Sequence, residues 1–264
     1  MMKTCKESDV SWIEAGEGPS VVFLHGMPGS SQSWGPQMQV LSKSHRVIAW
    51  DMPGYGGSDH IAALTTPTKM AAFLATTMRE DFKTNAAHVV GLSLGGMIAM
   101  ELALADPELV QSLVLLDCSP KFGLDGGSDA EEFVASVRTP LESGTPVAEL
   151  CEAIMRDLVA PECSETVFDA ALAAMSRATP EGLVQAATLI GNHDALDRLA
   201  RIETRSLVLV GASDTATPPA YSKVIADAIP GAMMVEVPGS GHLSNLENHE
   251  FVTAQLQRFL AQDR

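Results

Sequence analysis

Short apolar runs that lack polar alternation constrain this chain more than any other feature. Val21-Val22-Phe23-Leu24-His25 and Val47-Ile48-Ala49-Trp50 have the length of strands and no polar residue at alternate positions. A strand with one face in water alternates. A continuously apolar one is covered on both faces, as in a parallel sheet flanked by helices. The sequence between the runs supplies those helices. Thr66 is placed as an N-cap with Pro67 at the first helical position, and Met70, Phe73, Leu74 and Thr77 then recur on one face. A strand through His88-Val89-Val90 leads into a helix from Ser93 to about Ala105, stopped by Pro107, and a further strand, Ser112 to Leu116, ends at Asp117. This βα alternation predicts the α/β class with a doubly wound, mostly parallel sheet.

The rhythm breaks after Cys118. No segment from Ser119 to Asp197 reads as a strand, whereas Val147, Leu150, Cys151, Ile154 and Leu158 recur at helical spacing. Thr179-Pro180-Glu181 opens another helix, with Leu183, Ala186, Ala187 and Ile190 on one face. Strands resume at Ser206 to Val210 and Met233 to Val237, with a helix over Pro218 to Ile229 between them and a terminal helix over Asn248 to Leu260. The expected organisation is a sheet core of residues 1–118 and 198–264 with a helical cap, residues 119–197, inserted as a lid that excludes water.

Charge narrows the partners. Acidic residues outnumber basic ones 33 to 17, a net charge of -16 that repels nucleic-acid backbones and anionic membrane surfaces. The insertion is especially acidic, with 14 carboxylates against Lys121, Arg138, Arg156 and Arg177. Cys5, Cys118, Cys151 and Cys163 lack metal-ligand or redox spacing and are expected as thiols of a reducing compartment. The N-terminal segment has no signal-peptide core, and no apolar run reaches membrane-spanning length. A cytoplasmic protein acting on a small molecule is the expectation.

Gly91-Leu92-Ser93-Leu94-Gly95 fits a G-x-S-x-G nucleophile elbow between a buried strand and a helix. A turn that tight tolerates no side chains at its flanks, and it holds the serine hydroxyl above the sheet edge at a helix N-terminus. The alternative is a glycine-rich N-cap in which Ser93 only caps. A serine hydroxyl is a weak nucleophile until a base takes its proton. Of seven histidines, His242 follows the last strand in a glycine loop at the carboxyl edge of the sheet, where open α/β folds place their sites. His45 and His88 begin strands at the far edge, His249 belongs to the terminal helix surface, and His193 reads as a solvated helix-end residue, with a place in a pocket wall as the alternative. Asp214, directly after a strand and 28 residues before His242, is the expected carboxylate partner, with Asp117 as its rival. The backbone N–H groups of Met27 and Leu94 are the expected oxyanion donors; Pro28 has none, and His25 reads as a loop brace. No metal or organic cofactor is expected.

With these pieces in place the chain resembles the α/β-hydrolase superfamily over nearly its whole length. The HGMPG loop, DMPGYGGSD, GLSLGG, GASDTATPP and GSGHLSNLENHE occur in the family's order. Its C-terminal half is similar to 3-oxoadipate enol-lactonases through TPEGLVQAATLIGNHD, SLVLVGASDTATPP and IPGAMMVEVPGSGHLSNLE. The resemblance implies hydrolysis of a small ester or enol-lactone through an acyl-enzyme on Ser93. Those lactonases carry an arginine where this chain has Met52-Pro53 and a tryptophan in the cap, whereas Trp12, Trp34 and Trp50 all lie outside it. Carbon–carbon bond hydrolysis, cofactor-free haloperoxidase chemistry and ligand binding without turnover stay open as alternatives.

Overall fold

The computed structural model describes residues 2–261. Met1 and the last three residues of the expected core therefore lie outside the described residues. Eight strands form one sheet: β1 (Lys3–Glu7), β2 (Val10–Ala15), β3 (Ser20–Leu24), β4 (Arg46–Asp51), β5 (Ala87–Leu92), β6 (Val110–Leu116), β7 (Ser206–Gly211) and β8 (Met233–Val237). Their spatial order is β1-β2-β4-β3-β5-β6-β7-β8. The pairings from β4 to β8 are parallel, and β2 joins β4 antiparallel with β1 beyond it. Chain direction across the sheet reverses at β3, with β4 on one side and β5 on the other, which opens a crevice beyond their carboxyl ends.

Alternate side chains of each buried strand enter different cores. Val22, Leu24 and Val89 join one, with Met70 and Leu74 of α2 (Pro67–Glu80) and Ile98 and Leu102 of α3 (Leu94–Ala105). Val21, Phe23, Val90 and Leu92 face the other, with Met38 and Leu41 of α1 (Gly35–Leu41) and Leu256 of a terminal helix. Continuous apolar strands thus have a partner for every residue, as period-two geometry between two helical layers requires. Thr66 caps α2 by accepting from Lys69 N, with Pro67 at the first position.

Four helices fill the stretch between β6 and β7: α4 (Ala130–Glu142), α5 (Val147–Leu158), α6 (Glu165–Met175) and α7 (Pro180–Gly191). No strand occurs there among the described residues, only isolated bridges such as Lys121 with Asp194. The α7 N-terminus sits against the Asp51–Asp59 turn so closely that a Cβ on Gly182 would overlap the Gly54 carbonyl. Thr179 N donates to the same carbonyl at 2.9 Å. After β7 come α8 (Pro219–Ala228), then β8, the short α9 (Ser244–Glu247) and α10 (His249–Leu260). No helix among the described residues is long and apolar enough to cross a membrane.

Candidate active site

The carboxyl ends of four parallel strands converge on one crevice. Ser93 follows β5 with φ 52° and ψ −118°, a region that side chains other than glycine rarely adopt. Its neighbours permit the turn. A Cβ on Gly91 would overlap the Gly95 carbonyl, and one on Gly95 would overlap the carbonyl of Leu24. The serine N–H is taken by Leu116 O of the adjacent strand at 2.9 Å.

His242 lies in the loop after β8, and its Nε2 is 2.9 Å from Ser93 Oγ. On the far side of the ring Nδ1 is 2.9 Å from Asp214 Oδ2. With Nδ1 carrying the proton toward Asp214, Nε2 is free to accept from the serine hydroxyl. Asp214 is held by an Asx turn: its Oδ1 accepts from Ala216 N and Thr217 N, each at 2.9 Å. Thr217 adds a hydroxyl that donates to Oδ2 at 2.9 Å and lies 3.2 Å from His242 Nδ1. Thr217 was not singled out from the sequence; the Asp-x-x-Thr spacing of Asp214 and Thr217 is the local signal for it.

The electrostatics follow from burial and these partners. Burial alone pushes Asp214 up, but the charge and hydrogen bond of His242 and the Thr217 donors outweigh it, so its pKa lies below the ordinary value. Burial likewise pushes His242 down, yet Asp214, then Asp117 and Glu247, hold its pKa above the usual 6.5. Asp117 ends β6 but points elsewhere, accepting from Gly211 N at 2.7 Å and from the Ser244 hydroxyl at 2.5 Å. Burial, reinforced by Asp214, raises its pKa to about 8.

The loop after β3 brings Met27 to the same crevice, where it lines one cavity with Ser93 and His242. A Cβ on the preceding Gly26 would stand 3.0 Å from the Ser93 Cβ. Among the described residues no backbone or side-chain acceptor takes the N–H of Met27 or of Leu94. His25 braces this loop: Nδ1 bonds Gly26 O at 2.9 Å and Nε2 accepts from Met52 N at 3.0 Å. His45 and His88 lie at the opposite sheet edge, where His88 Nδ1 meets Ser112 Oγ at 2.8 Å. His193 corrects the sequence reading. It is not solvated but buried beside Glu101 and Arg198, because the end of α7 folds back over α3, and burial takes its pKa down to about 4.

The cavity over Ser93 measures about 370 Å³. Met97, Phe133, Ile154 and Pro218 contribute apolar walls, and Lys121 and Asp125 are its charged lining residues. Lys121 is paired with Asp194 at 2.7 Å. Arg156 pairs instead with Glu152 on an exposed face, and Arg138 lines a different depression; neither borders this cavity. Sequence gave no means of choosing Met97 or Ile154 from the other apolar residues, since a cavity wall and a core position share one pattern. No cluster of three metal-ligating side chains occurs among the described residues.

The sequence profile of the alpha/beta hydrolase family matches residues 21–255. The chain belongs to the alpha/beta hydrolase family. One relative in this hydrolase family, the pimeloyl-(acyl-carrier protein) methyl ester esterase of Chromobacterium violaceum, is 30% identical over 90% of this chain and 93% of its own length. The enol-lactonase of Burkholderia xenovorans superposes with a TM-score of 0.87 at 23% identity, covering 98% of this chain and all of that one. A bromoperoxidase from Bacillus anthracis gives 0.85 at 22% identity over 99% of this chain and all of that one. At such identities the two structures testify to the shared fold alone.

Proposed function

We propose that this hydrolase cleaves a small, uncharged ester or lactone through an acyl-enzyme on Ser93. The observation that carries the reading is the unbroken chain Ser93 Oγ, His242 Nε2, His242 Nδ1, Asp214 Oδ2, with 2.9 Å at each hydrogen bond. His242 takes the serine proton as Oγ attacks the carbonyl carbon, and Asp214 stabilises the imidazolium. The N–H groups of Met27 and Leu94 hold the oxyanion. The imidazolium then gives its proton to the leaving oxygen. A water, deprotonated by His242, attacks the acyl carbon; the bond to Ser93 Oγ breaks, the imidazolium returns its proton to Oγ, and the acid is released.

The esterase relative supports a carboxylic ester as substrate. The cavity supports a neutral one: Lys121 is engaged by Asp194, Asp125 offsets it, and among the described residues no arginine lines the cavity. The helices α4 to α7 act as a lid, since Phe133, Ile154, Leu158 and Ile190 reach from them into the cavity wall. Hydrolysis of p-nitrophenyl butyrate by wild type and Ser93→Ala tests the reading. Loss of at least roughly 10⁴-fold in the variant is expected. Equal rates, or no ester turnover by the wild type across a panel of short esters and lactones, would overturn it.

A further inference from the structure

Four consecutive backbone N–H groups around His242 are each taken by an acceptor. Gly241 N donates to Glu247 Oε1 and Oε2, both at 3.1 Å, and Leu243 N donates to Glu247 Oε1 at 3.1 Å. His242 N donates at 2.8 Å to the carbonyl of Leu158, the last residue of α5. Ser244 N donates to Asp117 Oδ2 at 3.3 Å. Glu247 then reaches out of the loop: its Oε2 also accepts from Ala160 N at 2.7 Å, two residues beyond α5. The contact is close, since a Cβ on Gly241 would stand 2.6 Å from Leu158 O and from Ala160 N. Glu247 is not in an ion pair among the described residues, so its charge is satisfied by backbone donors on two segments far apart in sequence.

From this arrangement we infer that Glu247 is a positioning residue for His242, tying the end of lid helix α5 and the histidine loop into one unit. The inference rests on the role of His242 proposed above. A carboxylate is suited to the task because its two oxygens take several N–H groups at once, and ionised acceptors make shorter, stronger hydrogen bonds than neutral ones. The backbone on both sides of His242 is thereby fixed, and with it the ring that must stay within reach of Ser93 and Asp214. The α5 end is consequently an anchored side of the lid.

Glu247→Gln tests this, because the amide keeps the shape but loses one acceptor oxygen. Wild type, Glu247→Gln and Ser93→Ala are assayed on p-nitrophenyl butyrate; active sites of the first two are counted by a fluorophosphonate so that misfolded protein does not enter the rate, and Ser93→Ala, which lacks the labelled hydroxyl, is rated per mole of folded protein. The expected result is a fall of roughly 10- to 100-fold in kcat per titrated site with KM changed by less than about threefold. Should the glutamine variant fail to fold, Glu247→Asp, which keeps the charge and shortens the reach, is expected to show the same split. A wild-type kcat per titrated site in the folded variant, whatever its thermal stability, would overturn the positioning role. A wild-type rate that survives Ser93→Ala would overturn the hydrolase reading beneath it, and this inference with it.

Discussion

Asp117 and Asp214 follow neighbouring strands, β6 and β7, yet only Asp214 reaches His242. Asp117 is turned under the site, its oxygens on Gly211 N and Ser244. The two carboxylates therefore answer differently to the same substitution. Asp214→Asn is expected to lower kcat by roughly 10³- to 10⁴-fold, because an amide cannot hold the imidazole in the required tautomer. Asp117→Asn is expected to leave kcat within about tenfold of wild type, as it touches no reacting group. Steady-state ester hydrolysis by the two variants checks this; the reverse ranking would make Asp117 the partner of the base.

Stability should also depend on Asp117. Its folded pKa of about 8 lies far above the ordinary 3.8, so between those values the folded state holds a proton there that the unfolded chain has lost. The associated stabilisation is complete below about pH 4 and lost as pH rises through about 8. Wild type should therefore lose stability relative to Asp117→Asn between about pH 4 and pH 8 and level off above, as read by thermal unfolding of both proteins across that range.

As the proposed base, His242 must be neutral to accept a proton, and Asp214 holds its pKa above 6.5. kcat/KM is accordingly expected to fall on the acid side with an apparent pKa above that value. Asp214→Asn should move this limb to lower pH, since burial, which disfavours the imidazolium, is then less opposed. A limb that stays in place in the variant would show that another group sets it.

At Gly182, helix propensity and packing pull in opposite directions. Alanine is favoured over glycine by about 1 kcal/mol inside a helix, but here its Cβ would overlap the Gly54 carbonyl, a strain of about 1–3 kcal/mol. Overlap with backbone wins, because neither carbonyl nor helix can swing aside. Gly182→Ala should lower Tm by a few degrees and raise KM, as α7 is pushed off the turn beneath it.

Ile154 lines the cavity from α5. Ile154→Trp should shorten the acyl pocket, lowering kcat/KM for p-nitrophenyl hexanoate about tenfold more than for the acetate, a difference within the 1–3 kcal/mol that small changes in pocket size give. Equal losses on the two esters would place the acyl group elsewhere.

The parallel strands β3 to β7 were legible because they are buried on nearly their whole length, and α2 and α7 because each opens with a capping threonine followed by proline, Thr66-Pro67 and Thr179-Pro180. The antiparallel strands β1 and β2 were not. Lys3–Glu7 is an exposed edge strand of polar residues with no apolar face to announce it, and it is held by register with Val10–Ala15. Helix α4 carries Pro140 inside its last turn, a residue that argues against a helix from sequence. Ser93, Asp214 and His242 could be read because each sits next to a strand end. Glu247 could not, because its partners Gly241 and Ala160 come together only when the chain is folded. His193 was misjudged for the same reason: what covers it is α3, some ninety residues earlier.

The backbone of Ser93 lies in a conformation that costs a residue with a side chain about 1–3 kcal/mol. Glycine at this position would relieve that cost and remove the proposed nucleophile in one change. A library of this chain selected only for resistance to heat should therefore accumulate Ser93→Gly, and the survivors would be well folded and inert. Directed evolution for thermostability must couple each round to turnover, or it will discard the strained residue on which the proposed chemistry depends.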